Sequence, residues 1–294
     1  MSDVAEAWTV LRLINWTKGY LARSGVEDPR LSAEVLLADV LGCSRIDLYT
    51  QFDRVVGPED LARYRQAVRR AAAGEPVSYI RGFKEFYSLT FKVTPDVLIP
   101  RPETELLVDV VLDLARRTRG AVRLWDACTG SGCVAVAAAR YAPRLSVLAT
   151  DISAPALAVA AENAVRCGVA GRVQFARANL LELPGPFAAM APFDVITANP
   201  PYVSDGQMAG LPRPLRAEPE LALRAGPTGL ECIRPILIDA PRHLRAGGLL
   251  AVEIGLGQAD AVYDIAREVG RYREVRFLKD LAGIERTMVA EVEG

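Results

Sequence analysis

Up to about Ala73 the apolar positions recur at helical spacing. Leu36, Leu37, Val40 and Leu41 share one stripe, and Leu61, Tyr64 and Val68 share another. The punctuation agrees with helices. Asp28 before Pro29 reads as an N-cap with proline at the first helical position, Gly42 closes that helix, and Ser44 with Asp47 makes an acidic capping box. Gly57-Pro58 and Gly74 bracket a further helix. Residues 1–75 are therefore expected to form a small helical bundle.

From Tyr79 to Ile99 the chain turns aromatic and β-branched around Ser88-Leu89, which predicts a β-hairpin linking two domains over residues 76–102. Pro95, Pro100 and Pro102 then stiffen the approach to a helix near Glu103. Beyond it, short apolar runs alternate with helical stretches. The predicted strands are Val122–Ala127, Leu145–Thr150, Val173–Ala176, Phe193–Ala198 and Leu249–Ile254, with helices near Val134–Tyr141, Ala154–Cys167, Leu230–Leu244 and Ala259–Val269. Such alternation predicts an α/β domain over 103–294, a parallel sheet with helices on both faces. The closing runs Glu274–Leu278 and Thr287–Val292 leave no room for a long crossover, so the last strand is expected to enter antiparallel.

Composition narrows the chemistry. The chain has 35 Lys and Arg against 36 Asp and Glu, and residues 1–75 hold ten against eleven. Neither the whole nor the bundle is a basic clamp for phosphate backbones, so a protein partner is expected and direct nucleic-acid contact is not. His243 is the only histidine, and the five cysteines Cys43, Cys128, Cys133, Cys167 and Cys232 are never spaced C-x-x-C. A Cys/His zinc site or a histidine triad lacks its raw material, and no metal is expected. Scattered thiols fit a reducing compartment. Asp3 and Glu6 stand where a signal peptide carries positive charge, and no apolar run approaches the roughly 18–20 residues of a membrane span. A cytoplasmic, monomeric protein without membrane contact is the expectation.

Four strand ends carry candidate chemistry. The first predicted strand runs through Asp126-Ala127-Cys128-Thr129-Gly130-Ser131-Gly132 into a helix, a turn that lays a ligand against backbone N–H groups. Gly130 to Ala135 also fits the dinucleotide fingerprint, which keeps an NAD-dependent oxidoreductase open. Asp151 closes the second strand, where a carboxylate accepts both hydroxyls of an adenosine ribose; it also suits a helix cap. Asn179 ends the third, beside the place for an adenine edge or as a loop cap. The fourth ends in Asn199-Pro200-Pro201-Tyr202. Prolines there hold the backbone extended and leave carbonyls free. The Asn199 side-chain oxygen and the Pro200 carbonyl then accept the two hydrogens of an –NH2 group, with Tyr202 packing against its plane. That is what a poorly nucleophilic amide nitrogen needs to be aimed at an electrophile. His243 reads as a surface or C-cap residue, and Glu103 and Glu105 as carboxylates at a helix start.

These motifs together resemble the S-adenosylmethionine-dependent methyltransferases of amino nitrogens. Arg69–Ile80, Glu85-Phe86-Tyr87, Val97–Glu105, Glu218-Pro219, Gly247-Gly248 and Lys279–Gly283 are similar to the peptide chain release factor glutamine methyltransferases, the PrmC or HemK family. The resemblance implies a Rossmann-like sheet with an antiparallel last strand, S-adenosylmethionine as cofactor, and release factors as partners, recognised by the bundle. The reaction it implies is methylation of the glutamine side-chain amide of their Gly-Gly-Gln loop. It also implies Cys128, Thr129, Gly130, Ser131, Gly132, Asp151, Asn179, Leu180 and Asn199 around the cofactor, and Asn199, Pro200, Pro201 and Tyr202 around the glutamine amide. Cys128 stands where glycine is usual and Leu180 where some relatives use an aromatic. Cys128 is shared with glutamine methyltransferases of a large-subunit ribosomal protein, which stay open as an alternative, as does adenine methylation of DNA from the NPPY motif alone. A noncatalytic module that binds translation factors is the remaining alternative of another class.

Overall fold

The computed structural model describes residues 7–294, so Asp3 and Glu6 lie outside the described residues. The chain divides into two compact units, residues 1–82 with 212–217, and residues 83–211 with 218–294. The first unit thus runs past the residue 75 read from the sequence.

The helical unit comprises α1 (Val10–Arg23), α2 (Pro29–Leu41), α3 (Arg45–Thr50), α4 (Pro58–Ala72) and α5 (Val77–Arg81). Leu13, Ile14, Leu21, Leu36, Leu37, Leu48, Tyr64 and Val68 form its core. The capping box of Ser44 and Asp47 is present. Asp28 differs from expectation: it takes a left-handed conformation at φ 46° and its side chain caps nothing, so Pro29 alone shapes that start. The strand read from Tyr79 is also a helix. Val77 and Ile80 pack against the bundle core, and Gly82 at φ 78° ends the turn.

In the second unit the hairpin is β1 (Phe83–Phe86) and β2 (Leu89–Lys92). Its two turn residues are Tyr87 and Ser88, at φ 49° and 58°, one place earlier than the sequence suggested. Positive φ at both central residues gives the twist a two-residue hairpin favours. There follow α6 (Glu105–Arg117), β3 (Val122–Ala127), α7 (Cys133–Tyr141), β4 (Leu145–Asp151), α8 (Ala154–Arg166), β5 (Val173–Arg177) and β6 (Phe193–Ala198). The excursion after β6 holds β7 (Val203–Ser204), α9 (Asp205–Met208), α10 (Arg213–Arg216, grouped with the helical unit) and β8 (Arg224–Gly226). The chain closes with α11 (Ile233–His243), β9 (Leu244–Glu253), α12 (Ala259–Val269), β10 (Tyr272–Lys279) and β11 (Glu285–Val292).

The main sheet has the order β10-β11-β9-β6-β3-β4-β5. Strands β9, β6, β3, β4 and β5 pair in parallel, and β11 runs antiparallel between β9 and β10, as the short closing connection required. Strand residues alternate between two cores. Leu124, Val147 and Val195 join α6 and α7 on one face, while Trp125, Leu148 and Ile196 join α11 and α12 on the other. Burial on both faces explains why these strands read as continuous apolar runs. The carboxyl ends of β3, β4 and β6 consequently open at one edge of the sheet.

Candidate active site

The turn after β3 is shaped by three residues at positive φ, Cys128 at 55°, Gly130 at 53° and Gly132 at 78°. The Thr129 N–H donates to the Thr150 carbonyl at 3.0 Å and the Gly132 N–H to the Thr129 carbonyl at 2.8 Å. The glycines serve different ends. A Cβ on Gly132 would stand 2.9 Å from that of Ala160, whereas one on Gly130 would meet nothing within 4 Å. Gly132 admits α8, and Gly130 leaves open space. Cys128 adopts the conformation glycine takes freely, at a cost of about 1–3 kcal/mol for a residue with a Cβ. Burial, with Asp151, Cys232 and Asp126 nearby, pushes its thiol up, so it is a wall and not a thiolate nucleophile.

Buried polar groups hold this turn. Asn163, fully buried on α8, donates to the Ser131 carbonyl at 2.9 Å and the Lys92 carbonyl at 3.0 Å, and accepts from the Lys92 N–H at 2.7 Å. It fastens the hairpin to the glycine turn. Asp126 accepts from the hydroxyls of Thr129 at 2.6 Å and Thr197 at 2.7 Å, and burial pushes its carboxyl up to about 6. Asp151 accepts from the Gly130 N–H at 2.8 Å and the Ser153 N–H at 2.9 Å. Burial raises its carboxyl, and these amides oppose the rise. Each carboxylate oxygen keeps a lone pair for a further donor. Asn179 donates to Glu182 at 3.1 Å, as a loop cap does, and Leu180 sits at φ 46° beside it.

At the end of β6 a second network forms. The Asn199 Nδ2 donates to the Thr104 hydroxyl at 3.2 Å, that hydroxyl donates to Glu253 Oε2 at 2.6 Å, and the Tyr202 hydroxyl donates to Glu253 Oε1 at 3.2 Å. Glu253 ends β9 and is 2% exposed; burial pushes its carboxyl up to about 7. Gln258 donates to the carbonyls of Tyr202 and Gly229, each at 3.1 Å, and accepts from the Gly255 N–H at 2.8 Å, which fixes the segment after the prolines. Arg101 pairs with buried Glu218, whose other oxygen accepts from the Ile99 N–H at 3.0 Å. These contacts use the Asn199 nitrogen and leave its Oδ1 free to accept.

Both networks face one open cleft. Cys128, Thr129, Gly130, Ser131, Asp151, Asn179, Leu180, Asn199 and Pro201 line it, together with Thr104 and Asp126. Three residues singled out from the sequence do not. Gly132 is under Ala160, Pro200 is buried, and Tyr202 turns its hydroxyl to Glu253. A phenol beside a buried carboxyl is well satisfied by donating to it, and Tyr202 lies behind the residues that line the cleft. His243 is half-buried in the last turn of α11 and packs edge-on against Trp125 with ring centroids 5.2 Å apart. Glu105 accepts the Tyr87 N–H at 2.8 Å and so anchors the hairpin.

Sequence reasoning did not single out Thr104, Glu253, Asn163 or Gln258, and assigned Asp126 no role. Glu253 had left a signal, one acid in the otherwise apolar run Leu249–Ile254. Thr104 lay unread between two glutamates. Among the described residues no helix is long and apolar enough to cross a membrane.

Residues 12–82 match the profile of the PrmC N-terminal domain, and residues 125–213 that of a methyltransferase domain. A release factor glutamine methyltransferase of Moorella thermoacetica is 45% identical over 92% of this chain and 94% of that protein. One of Rhodopirellula baltica is 41% identical over 96% of this chain and 95% of that protein. Among solved structures, a methyltransferase from Pyrococcus furiosus shares the fold at a TM-score of 0.51 and 18% identity, over 78% of this chain and 98% of that one.

Proposed function

The chain belongs to the release factor glutamine methyltransferases, and from that premise we propose that it methylates the side-chain amide nitrogen of the glutamine in a release factor's Gly-Gly-Gln loop, with S-adenosylmethionine as methyl donor. The observation that carries this reading is the Asn199 amide, whose nitrogen is committed to Thr104 while its oxygen is left to the cleft that also holds the glycine turn and Asp151.

The residues present fit the cofactor. Gly130 leaves open space for a backbone-hugging ligand, Asp151 has lone pairs for the two ribose hydroxyls, and Asn179 and Leu180 border the place for an adenine. Thr129, Ser131 and Cys128 supply the turn around it. Asp126 is a carboxylate partner for the ammonium of the methionine end. When bound, the cofactor supplies an electrophilic sulfonium methyl.

The remaining task falls to the protein. An amide nitrogen is a weak nucleophile because its lone pair is delocalised into the carbonyl. In this reading Asn199 Oδ1 and the main-chain carbonyl of Pro200, a residue whose bulk is buried beside the cleft, accept its two hydrogens, hold the nitrogen toward the methyl, and favour the pyramidal form whose lone pair is available. Pro200 and Pro201 contribute rigidity, since neither can donate or relax its φ. Tyr202 acts through Glu253 and the backbone, not as a face for the amide. Recognition of the protein substrate belongs to the helical bundle in this reading, and the reaction takes place in the cytoplasm, where release factors work.

Mass spectrometry of a release factor incubated with the enzyme and isotopically labelled cofactor tests the proposal. The expected result is one added methyl on the Gly-Gly-Gln glutamine. Transfer to a large-subunit ribosomal protein instead would replace the substrate, and no transfer to any glutamine would remove the activity.

A further inference from the structure

We propose that Thr104 and Glu253 are positioning residues that decide which end of the Asn199 amide faces the substrate. The inference rests on the reading of Asn199 as acceptor for the glutamine –NH2.

The Asn side chain presents an acceptor at one end and two donors at the other, nearly identical in shape. Turned the right way, it accepts from the substrate amide; turned over, it confronts that –NH2 with an –NH2 of its own. Nothing in Asn199 itself selects between the two. The selection comes from Thr104. Its hydroxyl hydrogen is committed to Glu253 at 2.6 Å, so its oxygen is presented to Asn199 only as an acceptor, and the nitrogen end must turn to it. Tyr202 donates to the other carboxylate oxygen at 3.2 Å, so both oxygens of Glu253 act as acceptors.

The order depends on Glu253 being ionised. A neutral carboxyl must donate its own proton, and when it donates to Thr104 the Thr104 hydroxyl is released to donate to Asn199. The Asn199 amide then turns over. Glu253 is faced by Thr104 and Glu103 from the turn before α6, by Tyr202 after β6, by Cys133 at the start of α7 and by Arg286 on β11. Arg286 is itself paired with Asp280 at 3.1 Å, and the Arg101 charge acts on Tyr202 and is paired with Glu218. Burial outweighs Arg286, which keeps the carboxyl's ionisation near neutrality and within reach of ordinary assay conditions.

The test is single-turnover methyl transfer to a release factor at saturating cofactor, from about pH 5.5 to about 8.5, for wild type, Thr104→Val and Thr104→Ser. The affinity of each for S-adenosylhomocysteine is measured beside it. Wild type and the Ser variant are expected to share an acid limb, with rates within about threefold of each other. The Val variant, of similar shape but without the hydroxyl, is expected to be slower by about tenfold or more at the alkaline end and to lose the acid limb, with product affinity retained. If the Val variant does not fold, Thr104→Ala takes its place. A hydroxyl-free variant with the wild-type rate, one that is slow yet keeps the acid limb, or a Ser variant as slow as Val overturns the proposal. A wild-type enzyme that transfers no methyl to the glutamine overturns the proposed function instead, before any variant is compared.

Discussion

Gly132 and Ala160 approach so closely that a Cβ on the glycine would lie 2.9 Å from the Ala160 Cβ and 3.2 Å from its Cα, and Gly132 also holds φ 78°. The start of α7 can therefore meet α8 only through a residue without a side chain. Gly132→Ala is expected to destabilise the protein by about 1–3 kcal/mol, through overpacking and backbone strain together. Gly130→Ala carries the backbone strain alone, since open space surrounds it. Its larger effect should be on ligand binding. Thermal denaturation with and without S-adenosylhomocysteine separates them: Gly132→Ala lowers the unbound Tm further, and Gly130→Ala loses more of the ligand-induced rise.

Asp151 joins the end of β4 to the glycine turn through the Gly130 N–H at 2.8 Å. Asp151→Ala should weaken cofactor binding by about 1.5–3 kcal/mol, the range for charge-assisted hydrogen bonds. Asp151→Asn keeps one acceptor and should fall between it and wild type. Calorimetry with S-adenosylmethionine reads both, and an unchanged affinity in the Ala variant would leave Asp151 only as a cap for Ser153.

Asn199→Ala should leave cofactor affinity nearly intact and slow single-turnover transfer by about a hundredfold, the scale of a lost orienting contact. The Pro200 carbonyl would remain as sole acceptor and the glutamine amide could rotate. Tyr202→Phe removes one donor to Glu253 without touching the cleft and is expected to cost less than about tenfold. A Tyr202 effect larger than that of Asn199 would place the phenol in the reaction and contradict its position.

Glu253, pushed up to about 7 by burial, also predicts a pH dependence of stability. A carboxyl raised above its unfolded value binds more protons in the folded state, so its contribution is full below about 4.5 and is lost as pH rises through about 7. Urea unfolding of wild type and Glu253→Gln at about pH 5 and about pH 8 reads the difference. Wild type should lose more stability between the two than the Gln variant, which has no proton to release there. The ionisation that orders Asn199 is thus the one that burial opposes, a conflict expected of a functional site.

The sequence alone determined the parts whose signals are local. Val122–Ala127 and Phe193–Ala198 are strands with the boundaries that their apolar runs predicted, because a parallel strand buried on both faces differs in composition from everything beside it. The glycine turn, Asp151 and the Asn-Pro-Pro-Tyr run were legible for the same reason, each being a short motif whose geometry its own residues dictate. The antiparallel last strand followed from a connection too short to cross the sheet.

Tertiary structure alone decided what those motifs are connected to. Thr104 meets Glu253 across 149 positions, and Lys92 meets Asn163 across 71. No periodicity or turn rule spans such distances; the pairs exist because folding strips water from polar groups that must then find partners wherever the chain brings them. The same requirement turned Tyr202 toward Glu253 and away from the cleft, and placed Val77–Arg81 in a helix where composition read as a strand. Local chemistry wrote the ends of the strands into the sequence. Desolvation at their meeting point chose the hydrogen-bond partners, and with them the direction in which Asn199 faces.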